Sequence, residues 1–273
     1  MSLTNLIRSS VVRELLKSYF PKNPALPRSM AGENIKILPC SNRYGLIGTA
    51  FDYLLRFYLE RLNKNVKLVV NKWVAENVPH IPLQRSLLKK AKEIISEAKA
   101  NHAEYLASGH MTKSLIISSL QLAQLDFIYR AGQVSDNLGH FYEEDVEELQ
   151  NLMRVAPADL FKASRLCVLN PTFGHASSLV GGADADLLID DTLIDIKTTI
   201  HLKISRDEFN QLVGYYTLYK IAGIDGADSD VEIKKAGIYF SRYGLLYTFN
   251  VKDFISDDKV IEFANFLIRR KNN

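Results

Sequence analysis

Four charged side chains flank a predicted turn, and their types and spacing suit the binding of a metal ion: Asp184, Asp186, Asp195 and Lys197. A two-residue turn at Asp190-Asp191 would join the two apolar segments that carry them into a β-hairpin. In that register Asp186 lies opposite Asp195, and Asp184 lies opposite Lys197. Alternation along the strands puts all four charges on one face. We expect the other face, which is wholly apolar, to pack in the core: Ala185, Leu187, Ile189, Ile194 and Ile196.

Two carboxylates at paired positions of a hairpin need a compensating charge. They repel each other, and burying them beside apolar residues is costly unless they are partnered. Mg²⁺ is typically held by one or two carboxylates together with phosphate and water. The pattern therefore predicts a Mg²⁺ or Mn²⁺ site at Asp195 and either Asp184 or Asp186, and the position opposite Asp195 favours Asp186. In such a site Lys197 would stabilise the negative charge of a phosphate. The alternative is a solvent-facing acidic strand, on which Lys197 would only balance the charge of Asp184 or Asp195.

Three groups of residues in this sequence resemble the motifs of a known family, the PD-(D/E)XK nuclease superfamily and in particular its RecB-like clade. The first is Asp186 followed on the next strand by Asp195-Ile196-Lys197, which resembles the active-site motif. Gln211 and Tyr215, four residues apart on a predicted helix, are similar to the Gln-x-x-x-Tyr motif. Gly48-Thr49-Ala50-Phe51-Asp52 resembles the Gly-x-x-x-His motif, with aspartate where histidine is usual.

The resemblance implies an activity and a set of residue roles. The chain would be a metal-dependent nuclease that hydrolyses DNA, in defence against foreign DNA or in DNA repair. Its cofactor would be Mg²⁺ or Mn²⁺, bound by Asp52, Asp184, Asp186 and Asp195. Catalysis would involve Asp186, Asp195, Lys197, Gln211 and Tyr215, of which the last two would orient water or substrate. The competing function is a catalytically inactive subunit that keeps the nuclease fold for DNA binding or assembly.

Composition and length exclude several other classes of protein. The 273 residues are 47% hydrophobic and 24% charged, which is typical of a folded domain and not of a disordered or collagen-like chain. No apolar run approaches the roughly 20 residues of a membrane span, and the N-terminus lacks a secretory signal pattern. We therefore expect a cytoplasmic protein without membrane contact. Two cysteines cannot form a four-cysteine metal site, and no phosphate-binding Gly-x-x-x-x-Gly-Lys-Ser/Thr motif is present.

Hydrophobic periodicity predicts an α/β protein with a large helical portion. Helices are expected over 3–20, 45–63, 66–78, 83–107, 111–131, 141–153, 206–222 and 257–270. Strands are expected over 165–170, 183–189, 193–199, 234–241 and 244–250. The α-β-β-β-α-β order around the hairpin resembles the restriction-endonuclease-like core that the family resemblance implies. The predicted organisation, as one compact unit, is N-terminal helices with the first core helix at 1–63, a helical insertion at 64–155 and a nuclease core at 156–273.

Charge is unevenly distributed along the chain, although the net charge is only +3. Residues 1–30 and 85–99 each carry five lysines and arginines, whereas 133–195 holds twelve acids, Asp136 among them, and three basic residues. Basic helices around an acidic, cation-binding centre suit a polyanion, so we expect DNA as the partner, with RNA as the alternative. Solvated helix faces would give the same charge pattern. A protein partner or a homo-oligomer is also compatible with this sequence.

Overall fold

The structure is a computed structural model that describes residues 2–132 and 137–272, so Asp136 lies outside the described residues. Helices occupy α1 (Leu3–Arg8), α2 (Ser10–Tyr19), α3 (Arg28–Ala31), α4 (Tyr44–Leu62), α5 (Arg85–Ser108), α6 (Lys113–Ala131), α7 (Glu143–Arg154), α8 (Gly174–Leu179), α9 (Arg206–Ala222), α10 (Val251–Phe254) and α11 (Asp257–Asn272). Short 3-10 helices occupy Val74–His80 and Ala158–Leu160. Strands occupy β1 (Lys67–Val70), β2 (Leu166–Leu169), β3 (Leu187–Ile189), β4 (Thr192–Lys197), β5 (Lys235–Phe240) and β6 (Leu245–Asn250).

The strands form one mixed sheet whose spatial order is the order of the chain, from β1 to β6. Strands β2, β3 and β4 are antiparallel neighbours. Helix α9 then carries the chain to β5, which pairs parallel to β4, and β6 returns antiparallel to β5. At the other edge β1 pairs parallel to β2. The predicted α/β class is therefore confirmed.

Each face of the sheet is covered by its own layer of helices. One hydrophobic core joins α1, α2, α8, α9 and α11 to side chains such as Val168 and Leu188. The second core joins α4, α5, α6 and α7 to Cys167, Leu187 and Ile194 on the opposite face. The sheet is thus buried on both faces, as is usual where parallel connections place helices over it. Among the described residues, no helix is both long and apolar enough to cross a membrane.

One segment that was predicted to be a single helix contains a strand. Residues 66–78 form β1 and the start of the 3-10 helix Val74–His80, so the predicted insertion at 64–155 is not helical throughout. Lys-Leu-Val-Val of β1 pairs with β2, about a hundred residues later in the chain. This pairing, which no local pattern reveals, overrides the helical periodicity. The helix predicted at 3–20 is likewise divided, at Ser9.

The hairpin that carries the charged residues has the predicted register over its strands. Leu187 pairs with Ile194, Leu188 with Leu193, and Ile189 with Thr192. Asp190 forms the turn with a left-handed φ of 53°. Its carboxylate accepts hydrogen bonds from the backbone N–H groups at the start of β2, at Ser164, Arg165 and Leu166. The turn is thereby attached to the neighbouring strand.

Beyond Leu187 the predicted pairing ends: the strand pairing does not extend to Asp186 and Asp195, and the prediction that Asp184 faces Lys197 is wrong. Asp184 instead forms an isolated bridge with Thr172. The preceding glycines, Gly181 and Gly182, have φ angles of 75° and 115°. That left-handed backbone, which glycine adopts readily, turns the chain away from β4. Ala185 consequently packs in the core opposite to that of Leu187, not beside it as alternation predicted.

Candidate active site

A cavity of about 280 Å³ opens at the end of β4, between α4, α6 and α9. Every candidate residue from the sequence lines it: Asp52, Asp184, Asp186, Asp195, Lys197, Gln211 and Tyr215. Two further charged residues from α6, Asp126 and Arg130, line the same space. Residues that are far apart in the sequence therefore meet in one acidic cleft.

Lys197 is the centre of a chain of polar contacts in this cleft. Its Nζ lies 2.6 Å from Asp195 Oδ2 and forms an ion pair with it. Lys197 Nζ also donates to Gln211 Oε1 at 3.0 Å. Gln211 Nε2 in turn donates to the Tyr215 hydroxyl at 2.9 Å. The spacing of Gln211 and Tyr215 puts both on one face of α9, so the helix orients the lysine that β4 supplies.

Helix α9 is held in place by contacts at its start and in its middle. At its start Ser205 and Glu208 form a reciprocal capping box, which satisfies two backbone N–H groups. Within the helix, Gly214 lies against Leu3 of α1, and a Cβ at Gly214 would come 2.9 Å from Leu3 Cδ1. The Leu3 N–H also donates to the Gly182 carbonyl at 3.2 Å. The N-terminal residues thereby form one wall of the cleft, which the sequence did not predict.

Asp195 is a buried carboxylate on β4, and Asp186 is a partly buried carboxylate directly before the neighbouring strand β3. Asp195 is 1% exposed, and Asp186 Oδ2 accepts a hydrogen bond from the Ile196 N–H at 2.6 Å. Burial, followed by the charges of Asp195 and Asp52, holds the pKa of Asp186 well above its ordinary value. Burial also raises the pKa of Asp195, although the Lys197 ammonium opposes that shift. The two carboxylates therefore resist ionising together, and an added positive charge would stabilise both.

The other two candidate ligands each have an arginine partner. Asp52 Oδ2 lies 2.6 Å from Arg56, one turn further along α4, whereas Asp52 Oδ1 is buried without a hydrogen-bond partner. Burial raises the pKa of Asp52 despite the opposing charge of Arg56. Asp184 Oδ2 lies 2.8 Å from Arg130 on α6. The carboxylate of Asp184 is thus already neutralised, and that of Asp52 is only half satisfied.

Asp126 and Arg130 were missed by the sequence analysis. Asp126 is 4% exposed and accepts a hydrogen bond from the Tyr53 hydroxyl at 2.6 Å. A signal for them is present, because Asp126 and Arg130 repeat on α6 the Asp-x-x-x-Arg spacing of Asp52 and Arg56 on α4. Acid–base pairs one turn apart on otherwise apolar helices indicate buried, partnered charges. What the sequence does not reveal is that α4 and α6 pack against each other and bring both pairs to one cleft.

The donor chemistry of the cleft suits a hard divalent cation. Asp52, Asp186 and Asp195 supply oxygen ligands, which Mg²⁺ and Mn²⁺ prefer, and the unpartnered Asp52 Oδ1 leaves one buried acceptor unused. As the side chains stand, however, no three His, Cys, Asp or Glu residues within the described ranges are grouped closely enough to hold a metal ion. The fit is therefore to a site in which two carboxylates bind and phosphate and water complete the coordination.

Comparison with known proteins does not add to this geometry. No protein-family model matches the chain, and no curated protein and no solved structure is significantly similar to it. Function is therefore inferred from the cleft itself: a lysine held between a carboxylate and a glutamine, beside a second buried carboxylate.

Proposed function

We propose that this protein is a nuclease that hydrolyses phosphodiester bonds in DNA and requires Mg²⁺ or Mn²⁺. The observation that carries the proposal is the position of Lys197, whose ammonium lies 2.6 Å from Asp195 and 3.0 Å from Gln211 in a cleft that Asp186 also lines. The strand order supports the same conclusion, because three antiparallel strands, a helix and a parallel fourth strand follow α4. That arrangement is the core expected of a PD-(D/E)XK nuclease.

The carboxylates of the cleft would hold the cation, with Asp186 and Asp195 as ligands and Asp52 Oδ1 as a further oxygen within the same cavity. Such a cation supplies polarisation of the phosphoryl oxygens and lowers the pKa of water. Asp184 contributes less to this binding, because Arg130 already neutralises its carboxylate. A preference for Asp186 over Asp184 is testable: Asp186→Asn should weaken Mn²⁺ binding measured by calorimetry much more than Asp184→Asn does.

Lys197 would stabilise the negative charge that develops on the phosphoryl oxygens. Its contact with Asp195 keeps the amine protonated, so it acts as a cation and not as a base. Gln211 restricts the ammonium by accepting one of its hydrogens, and Tyr215 holds Gln211 in turn. A preorganised cation aimed at developing charge is worth about 3–4 kcal/mol when it is lost, or roughly 10²–10³ in rate.

A basic helix that packs against one of the helices lining the cleft supports a polyanionic substrate. Helix α5 packs against α6, which carries Arg130 to the cavity. The basic residues in the first two turns of α5 are exposed: Arg85, Lys89, Lys90 and Lys92. Exposed lysines and arginines bind the phosphate backbone without regard to sequence, and the binding weakens as salt is added. DNA would therefore be held through its backbone on this side of the molecule.

The test is cleavage of plasmid and linear DNA with Mn²⁺ or Mg²⁺ by the wild type and by two variants, Lys197→Ala and Asp195→Asn. Both variants should lose at least about a hundredfold in rate. Asp191→Asn is the matched control, because Asp191 lies in the turn of the same hairpin and does not line the cavity. Cleavage that is independent of the cation, or unchanged in both variants, would overturn the proposal. DNA binding without cleavage by the wild type, retained after Asp195→Asn, would instead favour the inactive binding or assembly subunit.

A further inference from the structure

A second and larger cavity, of about 490 Å³, adjoins the acidic cleft. Thr49, Asp126 and Arg130 line both spaces, so these three residues form the boundary between them. Its size falls within the range of about 300–1,000 Å³ that small-molecule pockets occupy. A group attached to a phosphate in the cleft could therefore enter this cavity without leaving the surface of α4 and α6.

The second cavity is apolar and aromatic where the first is acidic. Four aliphatic side chains contribute to its walls: Leu46, Ala123, Ile128 and Leu138. Two aromatic residues that also line it are unusually exposed, Tyr44 at 56% and Phe127 at 55%. Nucleobases stack on exposed aromatic rings with little dependence on their sequence. The lining therefore suits a flat, unsaturated ring better than a charged group.

Two helical stripes lead from the apolar cavity to the acidic cleft. On α4 the stripe is Gly45, Thr49 and Asp52, and on α6 it is Ala123, Phe127 and Arg130. Residues spaced by four and then three share one face of a helix. On both helices the N-terminal member of the stripe lies at the cavity and the C-terminal member lies at the cleft. The apolar cavity and the acidic cleft are thus arranged along one line on both helices.

Arg130 is placed where the phosphate next to a bound base would lie. Its side chain is 49% exposed, and it stands one helical turn, about 5 Å, beyond Phe127. Arginine binds phosphate through two parallel hydrogen bonds. Arg130 already makes two such contacts with the Asp184 carboxylate, at 2.8 and 3.4 Å. A phosphate could therefore share or replace this pairing.

We propose that the second cavity binds an unpaired nucleobase adjacent to the phosphate in the cleft, so that the substrate is single-stranded nucleic acid. This inference rests on the proposed nuclease function and specifies its substrate class. A base in a duplex is stacked and paired, and it must be extruded before it can enter a protein cavity. Single strands avoid that cost, and they are therefore bound in preference to duplexes.

The test measures binding and not cleavage, so it gives a result whether or not the enzyme is active. Fluorescence anisotropy is recorded in buffer with EDTA for a labelled oligothymidylate, an abasic strand of the same length and a duplex. The variants are Tyr44→Ala and Phe127→Ala. The matched control is Tyr129→Ala, an aromatic residue on the same helix that is 43% exposed and lines neither cavity.

The wild type should bind oligothymidylate more tightly than the abasic strand and the duplex. Each cavity variant should weaken oligothymidylate binding by about 5- to 100-fold, as expected for the loss of one stacked base. Binding of the abasic strand should stay within about twofold, and Tyr129→Ala should change neither affinity. Equal binding of the two single strands, or unchanged binding in both cavity variants, would overturn the inference. Failure of the proposed nuclease function would be seen in the cleavage experiment instead, as cleavage that is independent of the cation or that survives Asp195→Asn.

Discussion

Replacing Asp126 by asparagine should stabilise the protein, and by an amount that grows with pH. Asp126 is 4% exposed, and burial raises its pKa from 3.8 to about 6 although the Tyr53 hydroxyl and nearby arginines oppose the shift. An asparagine retains an oxygen that can accept the 2.6 Å hydrogen bond from Tyr53. It has no charge to bury, so the variant resembles the wild type with Asp126 protonated.

The size of the effect follows from the difference between the two pKa values. Because the pKa of the folded state is the higher one, the stability contributed by Asp126 is fully present below pH 3.8 and is lost as pH rises through about 6. A shift of about two pKa units corresponds to about 3 kcal/mol. The variant should therefore be more stable than the wild type by about 1 kcal/mol near pH 4.5 and by about 3 kcal/mol at pH 8.

The assay is urea unfolding of the wild type and the Asp126→Asn variant at several pH values between about 4.5 and 8. At pH 8 the thermal midpoint of the variant should also be higher, by about 6–12 °C. A difference in the free energy of unfolding that does not change with pH would refute the reasoning. So would a variant that is less stable than the wild type at pH 8, because the ionised carboxylate would then be stabilising.

The same substitution at Asp190 is the control, since it should act in the opposite direction. Burial would raise the pKa of Asp190, but the N–H groups of Ser164, Leu166 and Arg165 lower it on balance. Asparagine tolerates the left-handed φ of 53° at this turn, but its single side-chain oxygen cannot replace both carboxylate oxygens. Asp190→Asn should therefore destabilise the protein at neutral pH, and the loss should shrink as the pH falls.

Three further predictions concern side chains away from the cleft's charges. Burial raises the pKa of the Cys167 thiol to about 12, whereas Cys40 is exposed. A thiol-specific reagent should therefore modify Cys40 in the folded protein and Cys167 only in denaturant. Gly214→Ala should cost about 1–3 kcal/mol in urea unfolding, because its Cβ would lie 2.9 Å from Leu3 Cδ1; an unchanged midpoint would contradict that packing. Glu148→Gln leaves the fully buried Arg242, which lies 2.5 Å from Glu148, without its counter-charge. The variant should lose about 3–5 kcal/mol in the free energy of unfolding in urea. A loss below about 1 kcal/mol would show that this ion pair does not stabilise the fold.

The hairpin could be predicted from the sequence because its pairing is local. Two apolar runs separated by Asp190-Asp191 allow one short turn, and that turn sets the register of Leu187 with Ile194. The predicted pairing is correct only as far as Leu187, and the predicted alternation of faces fails at Ala185. There the preceding glycines turn the backbone toward Thr172, and the contact that replaces hairpin pairing is made with another part of the chain.

Strand β1 could not be predicted, because nothing near it in the sequence distinguishes it from a helix. It has four residues, Lys67–Val70, and its apolar run is too short for periodicity to separate strand from helix. Its pairing with Leu166–Leu169 joins segments about a hundred residues apart. Only the packed fold brings the partner strand close enough to decide the conformation.

The residues that the strands contribute to the cleft could be predicted from the sequence. The prediction of its helical residues was incomplete. Asp195 and Lys197 are charged residues within an apolar strand. Charged residues are rarely buried without a partner, so their position indicates a functional site. Asp126 and Arg130 lie on a helix that packs one side in a core. Their role depends on α6 packing beside α4, a relation between two helices that neither sequence segment reveals alone.

The pairing of charges in the cleft favours Asp186 as the first metal ligand. Among the described residues Asp52, Asp184 and Asp195 each have a basic partner, in the ion pairs with Arg56, Arg130 and Lys197. Within the described residues, Asp186 forms no ion pair, and its carboxylate accepts a hydrogen bond from the Ile196 N–H. Its carboxylate is partly buried beside Asp195, and the nearby Lys197 ammonium is already paired with Asp195, so a cation bound at Asp186 would remove more unfavourable energy than one bound at Asp184. In the proposed metal site, the ion pairs of Asp52, Asp184 and Asp195 would thus leave Asp186 as the carboxylate with the most to gain from a bound ion.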